Sequence, residues 1–438
     1  MISAGNSRNK MKLKIQLLLL VFAATFHSIG QFENVQLPIP KKATYPYSQV
    51  EPSIYINPKN TNEVIAGSVM NDYYYSKDGG TSWKSKSIKS KWGVNGDPCM
   101  LIDTLERYYY FHLSNINGQP LIGGMVCQRS KKLKGKFRKE GHTINNGKFH
   151  DKQWVALDPR TNHIYMTWTQ FDGYDSDNPE DYSHILFSKT EDGGLTWSNP
   201  EQISTIPGDC KDDDLTAEGA VPAVGPNGEI YVAWSRNDSL WFNRSMDDGK
   251  TWLKQETYLA AQPNGWVINI PGLYRCNGLP VTVCDLSPSK HNGTIYVNWA
   301  DQRNGEDDTD IWIAKSTDKG NTWSTPKRIN DDNSKKHQFL TWLTIDQTNG
   351  YLYSVFYDRR NHDSRKTDVY LAVSKDGGEN FENYKISESP FLPNPKIFFG
   401  DYTNISVHNG VIRPIWTRLH KGRITLHTAL INQKELKQ

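Results

Sequence analysis

The stretch Ser76-Lys77-Asp78-Gly79-Gly80-Thr81-Ser82-Trp83 combines an acid, two glycines, hydroxyl groups and a tryptophan in a short span. That composition suits either a catalytic loop or a tight turn. The stretch decides the fold because its pattern, Ser/Thr-x-Asp-x-Gly-x-x-aromatic, begins again at Thr190, Ser245, Ser316 and Ser374. Recurrence of so specific an octet indicates a repeat-built architecture.

The spacing of the octets shows how many units the chain holds. Their aspartates are 114, 55, 71 and 58 residues apart, so the first interval is about two units long and contains a divergent copy, Ser130 to Phe137. Apolar-alternating segments that end in an aromatic residue, such as E-I-Y-V-A-W at 229–234, precede the octets. Alternation with a period of two predicts β-strands.

Each unit divides into four short strands, and such units repeated around an axis predict an all-β propeller. We count seven blades, with six as the alternative, and we expect the N-terminal strand, Asn34 to Pro38, to close the ring. The predicted units are 45–92, 93–148, 149–206, 207–262, 263–332, 333–392 and 393–438 with 31–44.

The octet resembles the Asp-box, or bacterial neuraminidase (BNR) repeat, of sialidase-like propellers, and the resemblance spans almost the whole mature chain. It implies a β-propeller and a carbohydrate-active protein. In the octets the resemblance and the turn chemistry assign the aspartates a structural role in a hairpin on the outer rim. These residues are Asp78, Asp192, Asp247, Asp318 and Asp376.

The first thirty residues predict a secretory signal. Basic residues from Arg8 to Lys14 precede the apolar run 15–26 and the small residues before Gly30, where we expect cleavage. The remaining chain, 31–438, is predicted to be one secreted, periplasmic or cell-surface domain with a net charge near −1. Neither nucleic-acid binding nor a membrane span is expected, and we predict a monomer.

Candidate functional residues lie where loops enter the inner strands, because propeller ligands usually bind at one mouth of the axial channel. The alternative for each is a hydrogen bond to a neighbouring strand end. Together they bring acid, base, cation and phenol to one place. The candidates are Glu51, Asp97, His150, Asp151, Glu218, Arg275, Asn277, His337, Gln338, Asp401 and Tyr402.

A sialidase-like glycoside hydrolase is the leading hypothesis that the resemblance implies. It nominates Tyr402 as nucleophile, Glu218 as its base and Asp97 or Asp151 as acid. Arginines that would bind the substrate carboxylate are Arg275, Arg360 and Arg413. An Asp–Arg network within a loop is the alternative for Arg360. The chain departs from true sialidases because their Phe/Tyr-Arg-Ile-Pro motif is absent and because those enzymes have six blades.

Two alternatives stay open. A polysaccharide lyase acting on uronate-containing, ulvan-type glycans would use a carboxylate-neutralising group, a base and an acid. His150, His337, Tyr402 and Arg275 could fill those roles. A non-catalytic propeller that binds a glycan or a protein is the other alternative.

No metal or other cofactor is predicted. The acidic loops 172–181 and 209–214 hold enough oxygen atoms for Ca²⁺, but they lack EF-hand spacing, so solvated loops are the favoured interpretation. Five cysteines leave at least one thiol unpaired, and Cys210 with Cys276 is the disulfide that the repeat positions favour.

Overall fold

Seven four-stranded antiparallel sheets contain the strands of the described residues, which are 32–40, 49–116, 122–144, 146–420 and 422–436 in this computed structural model. The sheets follow one another along the chain as the blades of a β-propeller, which confirms the predicted fold. The predicted signal peptide lies outside the described residues.

The blades are numbered in chain order. Within each blade, the strands are given in order from the inner edge of the sheet to its outer edge. Blades 1 to 3 are β2 Ser53–Ile56, β3 Val64–Ser68, β4 Asp72–Ser76 and β5 Lys84–Ser87; β6 Cys99–Ile102, β7 Tyr108–Ser114, β8 Gly124–Ser130 and β9 Lys139–His142; and β10 Phe149–Leu157, β11 Ile164–Phe171, β12 Ser183–Thr190 and β13 Glu201–Gln202.

Blades 4 to 6 follow the same plan. They are β14 Glu218–Val224, β15 Ile230–Ser235, β16 Ser239–Ser245 and β17 Thr257–Ala261; β18 Val281–Cys284, β19 Ile295–Asp301, β20 Asp310–Ser316 and β21 Lys327–Arg328; and β22 Gln338–Asp346, β23 Tyr351–Asp358, β24 Asp368–Ser374 and β25 Glu382–Lys385.

Blade 7 contains the two ends of the described chain. It consists of β26 Asn404–His408, β27 Val411–His420 and β28 Arg423–Asn432, and its outer strand is β1 Glu33–Gln36, which pairs antiparallel with β28. A 3₁₀ helix, Gln433–Glu435, follows β28. Every inner strand contacts the inner strands of the two neighbouring blades, and β2 contacts β26.

The octets are the turns between the third and fourth strands. In the first octet, Ser76 Oγ accepts the Gly80 N–H at 2.8 Å and donates to Asp78 Oδ1 at 2.8 Å, while Asp78 accepts the Ser82 N–H at 2.8 Å. The Trp83 indole N–H then donates to the Gly80 carbonyl. The polar groups of the octet therefore bond to one another, as the turn interpretation expects.

The divergent second copy makes the same kind of turn without its aspartate. Ser130, at the end of β8, accepts the backbone N–H groups of Lys132 and Lys136 through its hydroxyl oxygen. The serine therefore organises the turn alone, and blade 2 is the unit that the long first interval predicts.

The second strands fill the space between blades with aromatic side chains, as their alternating pattern predicts. Burying one such ring removes enough apolar surface to stabilise the fold by about 2–3 kcal/mol. The fully buried rings on these strands include Tyr165, Tyr231, Tyr296, Tyr353, Trp168, Trp234, Trp299 and Trp416.

All five cysteines are buried free thiols, so the predicted Cys210–Cys276 disulfide is wrong. Cys210 lies in the loop before β14 and Cys276 in the loop before β18, and equivalent places in two blades do not bring the sulfur atoms together. Among the described residues, no helix is long and apolar enough to cross a membrane.

Candidate functional site

Equivalent residues of all seven blades surround one end of the propeller axis, which we call the mouth. In the ladders of the first and second strands, the equivalent inner residues are Ser53, Cys99, Trp154, Val221, Val281, Trp342 and Asn404. Two positions before them are Glu51, Asp97, Lys152, Gly219, Leu279, Leu340 and Tyr402. Of this second set of seven residues, all except Glu51 line one small cavity of about 50 Å³.

In several blades, a residue with left-handed backbone lies two positions before the aligned inner-strand residue. Glu51, Asp97, Lys152 and Leu340 have φ values of 52°, 47°, 53° and 50°, and β10, β14 and β22 carry bulges at this point. Left-handed backbone is uncommon for such residue types. A bulge re-aims a side chain at a strand end, which explains how the same position in each blade comes to border the mouth.

Carboxyl groups outnumber cations at the mouth. Apart from Asp212, the acidic residues are buried, so each one depends on its neighbours for stabilisation of its charge. The acidic residues are Glu51, Asp97, Asp151, Asp212, Glu218 and Asp401, and the cations that interact with them are Lys152 and Arg275.

Asp401 holds both cations. Lys152 Nζ lies 2.5 Å from Asp401 Oδ2, and Arg275 Nε donates to Asp401 Oδ1 at 2.8 Å while its second nitrogen donates to Oδ2. Burial by itself would raise the pKa of Asp401, but the charges of Lys152 and Arg275 hold it well below its usual value. Asp401 is therefore an ionised anchor that positions the cations.

Blades 3 and 4 bring three acids together. Burial raises the pKa of Asp151 to about 7; Lys152 opposes this rise, and the charges of Asp97 and Asp212 add to it. Burial, followed by the charge of Asp212, raises the pKa of Glu218 well above its usual value. Both Glu218 oxygens lack a hydrogen-bond partner among the described residues. At pH 7 about half of the Asp151 carboxyl groups therefore carry a proton.

Tyr402 lies with the acids of blades 1 and 2. Burial and the charges of Asp97 and Glu51 raise its pKa well above the usual value, and its hydroxyl has no hydrogen-bond partner among the described residues. Glu218 belongs instead to the Asp151 and Asp212 group. The carboxyl charges that act most on Tyr402 are therefore those of blades 1 and 2, and the pairing of Tyr402 with Glu218 as its base stays a prediction.

Aromatic rings form the floor of the mouth. Trp154 of blade 3 and Trp342 of blade 6 meet across the axis with ring centroids 4.3 Å apart, and Tyr402 lies 5.5 and 5.9 Å from them. Beneath these rings the axial channel continues as a second cavity of about 170 Å³. The floor separates the charged residues from that channel.

The two predicted histidines lie away from the acids. His150 is buried, accepts the Trp168 indole N–H at Nδ1 over 2.7 Å, and has its pKa lowered to about 4 by burial. His337 contacts Thr309, and burial together with the charge of Arg359 lowers its pKa to about 4. Both imidazoles are therefore neutral at neutral pH.

The three predicted substrate-binding arginines do not converge. Arg360 bonds Asp358 at 2.8 Å and Asn383 at 2.9 Å, which is the loop network considered as its alternative. Arg413, on β27, donates to the Ile431 carbonyl at 2.9 Å and to the Gly79 carbonyl in the first octet. Only Arg275 of the three reaches the mouth, so a three-arginine clamp is not assembled among the described residues.

Sequence reasoning missed Lys152, Asp212 and the tryptophan floor. Lys152 directly follows the predicted Asp151. If the inner strands of the blades are aligned, Lys152 occupies the same position relative to its strand as Asp97 and Tyr402, and this comparison would have identified it. Asp212 belongs to the acidic loop 209–214 and accepts the Tyr174 hydroxyl at 2.9 Å. Its place beside the mouth had no signal in the sequence, because the loop is unique to blade 4.

The candidate metal ligands of the described residues lie on the rim. His163, Glu191 and Asp248 approach one another, but Lys189 Nζ already pairs with Asp248 at 2.5 Å and with Glu191 at 3.0 Å. In the acidic loops, Asp181 accepts the Ser176 hydroxyl and Asp209 accepts the Thr216 hydroxyl. These carboxylates thus have protein donors as partners.

The fold is similar to that of solved propellers at low identity, and no family model matches the chain. An ulvan lyase from a new family of polysaccharide lyases is 13% identical, with a TM-score of 0.51 over 92% of this chain and 96% of that one. A protein of unknown function from Dyadobacter fermentans is 12% identical, with a TM-score of 0.52 over 91% and 98%. A Hadza microbial sialidase is 14% identical, with a TM-score of 0.47 over 84% and 73%.

Proposed function

We propose that the protein is a glycoside hydrolase that acts at the mouth on a glycan whose cleaved unit carries no negative charge. The observation that carries this proposal is the pairing of a carboxyl group of raised pKa, Asp151, with the charged Asp212 beside it. Glycoside hydrolysis usually uses two neighbouring carboxyl groups, of which the general acid has a raised pKa.

The proposed roles follow from the raised pKa of Asp151 and from the greater exposure of Asp212. Asp151, with a pKa of about 7, donates its proton to the leaving glycosidic oxygen. Asp212 is the more exposed acid of the group, and its carboxylate acts as the base or the nucleophile. Lys152 and Asp401 are positioning residues, since their ion pair fixes the charge beside Asp151.

The excess of acids disfavours anionic substrates. A sialoside or a uronate would bring its carboxylate beside the charges of Asp97 and Asp212, while Asp401 already holds the cations Lys152 and Arg275. Repulsion between like charges in a poorly solvated site opposes such binding. The hydrolase part of the leading hypothesis is therefore kept, while its sialoside specificity is given up.

A test must distinguish hydrolysis from elimination, because one of the similar structures, which matches most of this chain, is named as an ulvan lyase. Tyr402 would serve elimination poorly as a base, since burial and the charges of Asp97 and Glu51 keep its phenol protonated. Hydrolysis needs no tyrosinate and suits the acids of blades 3 and 4.

The experiment is a substrate panel. Arabinan, galactan, xylan and laminarin represent uncharged glycans, ulvan represents a uronate polymer, and a fluorogenic sialoside represents sialic acid. We expect new reducing ends from an uncharged glycan, without the ultraviolet absorbance of unsaturated uronate. Asp151→Asn should lower the rate by roughly 10²–10⁴-fold. Asp247→Asn, in an octet on the rim, is the matched control and should retain the rate.

The outcomes distinguish the hypotheses. Unsaturated uronate from ulvan would replace the proposal with a lyase, and release of the sialoside fluorophore would restore the sialidase hypothesis. Binding of a panel glycan without any turnover would leave a non-catalytic binding propeller. Full activity of Asp151→Asn on an uncharged glycan would refute the assigned acid.

A further inference from the structure

An exposed tyrosine that packs on a half-buried phenylalanine lies beside the mouth and has no role in the chemistry described so far. Tyr274 is 62% exposed, and its ring lies edge-on to Phe398 with centroids 6.3 Å apart. The guanidinium of Arg275, which bonds Asp401 at the mouth, lies 4.8 Å from the centre of the Phe398 ring. The pair is thus continuous with the proposed catalytic site.

The loop that carries Tyr274 is a rigid hairpin. Val267 and Asn277 form a β-bridge, the Ile268 N–H donates to the Cys276 carbonyl at 3.0 Å, and Arg359 donates to the Pro271 carbonyl near the tip at 2.8 Å. Ile268, Ile270 and Leu273 are buried beneath it. An aromatic ring held out by an ordered loop loses little conformational freedom when a ligand binds.

The chemistry of this surface suits a sugar better than a protein. The faces of uncharged sugar rings present C–H groups that pack on aromatic rings, and their hydroxyls can accept bonds from the guanidinium of Arg275, whose side chain is 45% exposed. A stable protein interface buries more than about 1,000 Å², which two rings do not provide. The exposed Tyr274 ring matches the size of one sugar unit.

We propose that the exposed ring of Tyr274, supported edge-on by the half-buried Phe398, is a stacking platform for a sugar unit next to the cleaved one, so that the substrate is an oligosaccharide or polysaccharide chain. This inference rests on the proposed function and adds the length of the substrate to it. The chain would run from the Asp151 and Asp212 side of the mouth, past Arg275, onto the platform.

The test compares chain lengths of the polysaccharide that the panel identifies. Tyr274→Ala should lower kcat/KM for its hexasaccharide roughly tenfold, which corresponds to about 1.4 kcal/mol, and leave kcat/KM for the disaccharide unchanged. Tyr274→Phe keeps the ring and should behave as the wild type. Tyr258→Ala is the matched control, because Tyr258 is 55% exposed but lies on the outer strand β17.

Equal effects of Tyr274→Ala on both chain lengths, or no effect on either, would overturn the platform while leaving the hydrolase intact. If no glycan is cleaved, the proposed function fails, and the platform is tested by electrophoresis in gels that contain the four uncharged polysaccharides. Retardation that Tyr274→Ala abolishes and Tyr258→Ala preserves would support a platform on a binding protein. Absence of retardation of the wild type in every gel would overturn it.

Discussion

Removal of the Lys152 charge should move the alkaline limb of the pH–rate profile. With a pKa of about 7, Asp151 holds its proton in about nine-tenths of molecules at pH 6 and in about one-tenth at pH 8, so the rate falls across that range. Lys152 lowers the pKa of Asp151. Because an opposite charge within a few ångströms shifts a carboxyl pKa by about one unit or more, Lys152→Met should raise the midpoint to about pH 8 or above.

The assay is kcat/KM on the active glycan between pH 5 and pH 10, with folding checked by thermal unfolding at each pH. Lys375→Met is the matched control, because Lys375 pairs with Glu382 on the rim and its removal should leave the midpoint unchanged. Asp401 keeps its bonds to Arg275 in Lys152→Met, so the mouth retains an anchor. An unchanged midpoint in Lys152→Met would refute Asp151 as the acid that governs the limb.

Three further predictions concern the fold. Ser316→Ala leaves the Gly320 N–H without the acceptor it has at 2.8 Å and should lower the free energy of unfolding by about 1–3 kcal/mol in urea titrations, without loss of activity. Arg413→Met should cost about 2 kcal/mol of stability and leave kcat/KM unchanged, whereas Arg275→Met should lower kcat/KM. Burial lowers the pKa of His112 to about 4 in the folded protein, whereas the ordinary value is about 6.5. Between pH 4 and pH 6.5 the imidazole therefore binds a proton in the unfolded chain but not in the folded one. Stability should therefore rise with pH across that window, by up to about 3 kcal/mol, and rise less in His112→Asn when denaturation is measured at both ends.

The fold could be predicted because its determinants are local. Each octet bonds to itself, as Ser76, Asp78 and Gly80 show, so the motif survives wherever the turn is needed. Even the divergent copy kept Ser130, whose hydroxyl accepts the Lys136 N–H in place of the lost aspartate. Repetition then made the blades countable, since each turn marks one outer hairpin.

The site could be predicted only in part, because position along the chain does not fix the direction of a side chain or its angle around the ring. Asp151 and His150 are adjacent, but successive side chains of a strand point to opposite faces, so one borders the mouth and the other meets Trp168. Tyr402 lies two residues before β26 and Glu218 begins β14, but the sequence does not place these two residues relative to each other around the ring. In the structure, the nearby carboxyl charges that act most on Tyr402 are those of Asp97 and Glu51.

The strained backbone of the mouth connects the fold to the proposed chemistry. A left-handed conformation costs a residue such as Lys152 roughly 1–2 kcal/mol, and blades 1, 2, 3 and 6 repeat that cost at equivalent positions. Stability alone would place glycine there, as blade 4 does with Gly219. In blades 1 to 3 the strained positions instead carry Glu51, Asp97 and Lys152, whose charges shift the pKa values of the other mouth groups. Charged side chains at positions that favour glycine are the pattern expected of residues kept for function. Lys152→Gly should therefore relieve the backbone strain and shift the pH–rate profile as Lys152→Met does.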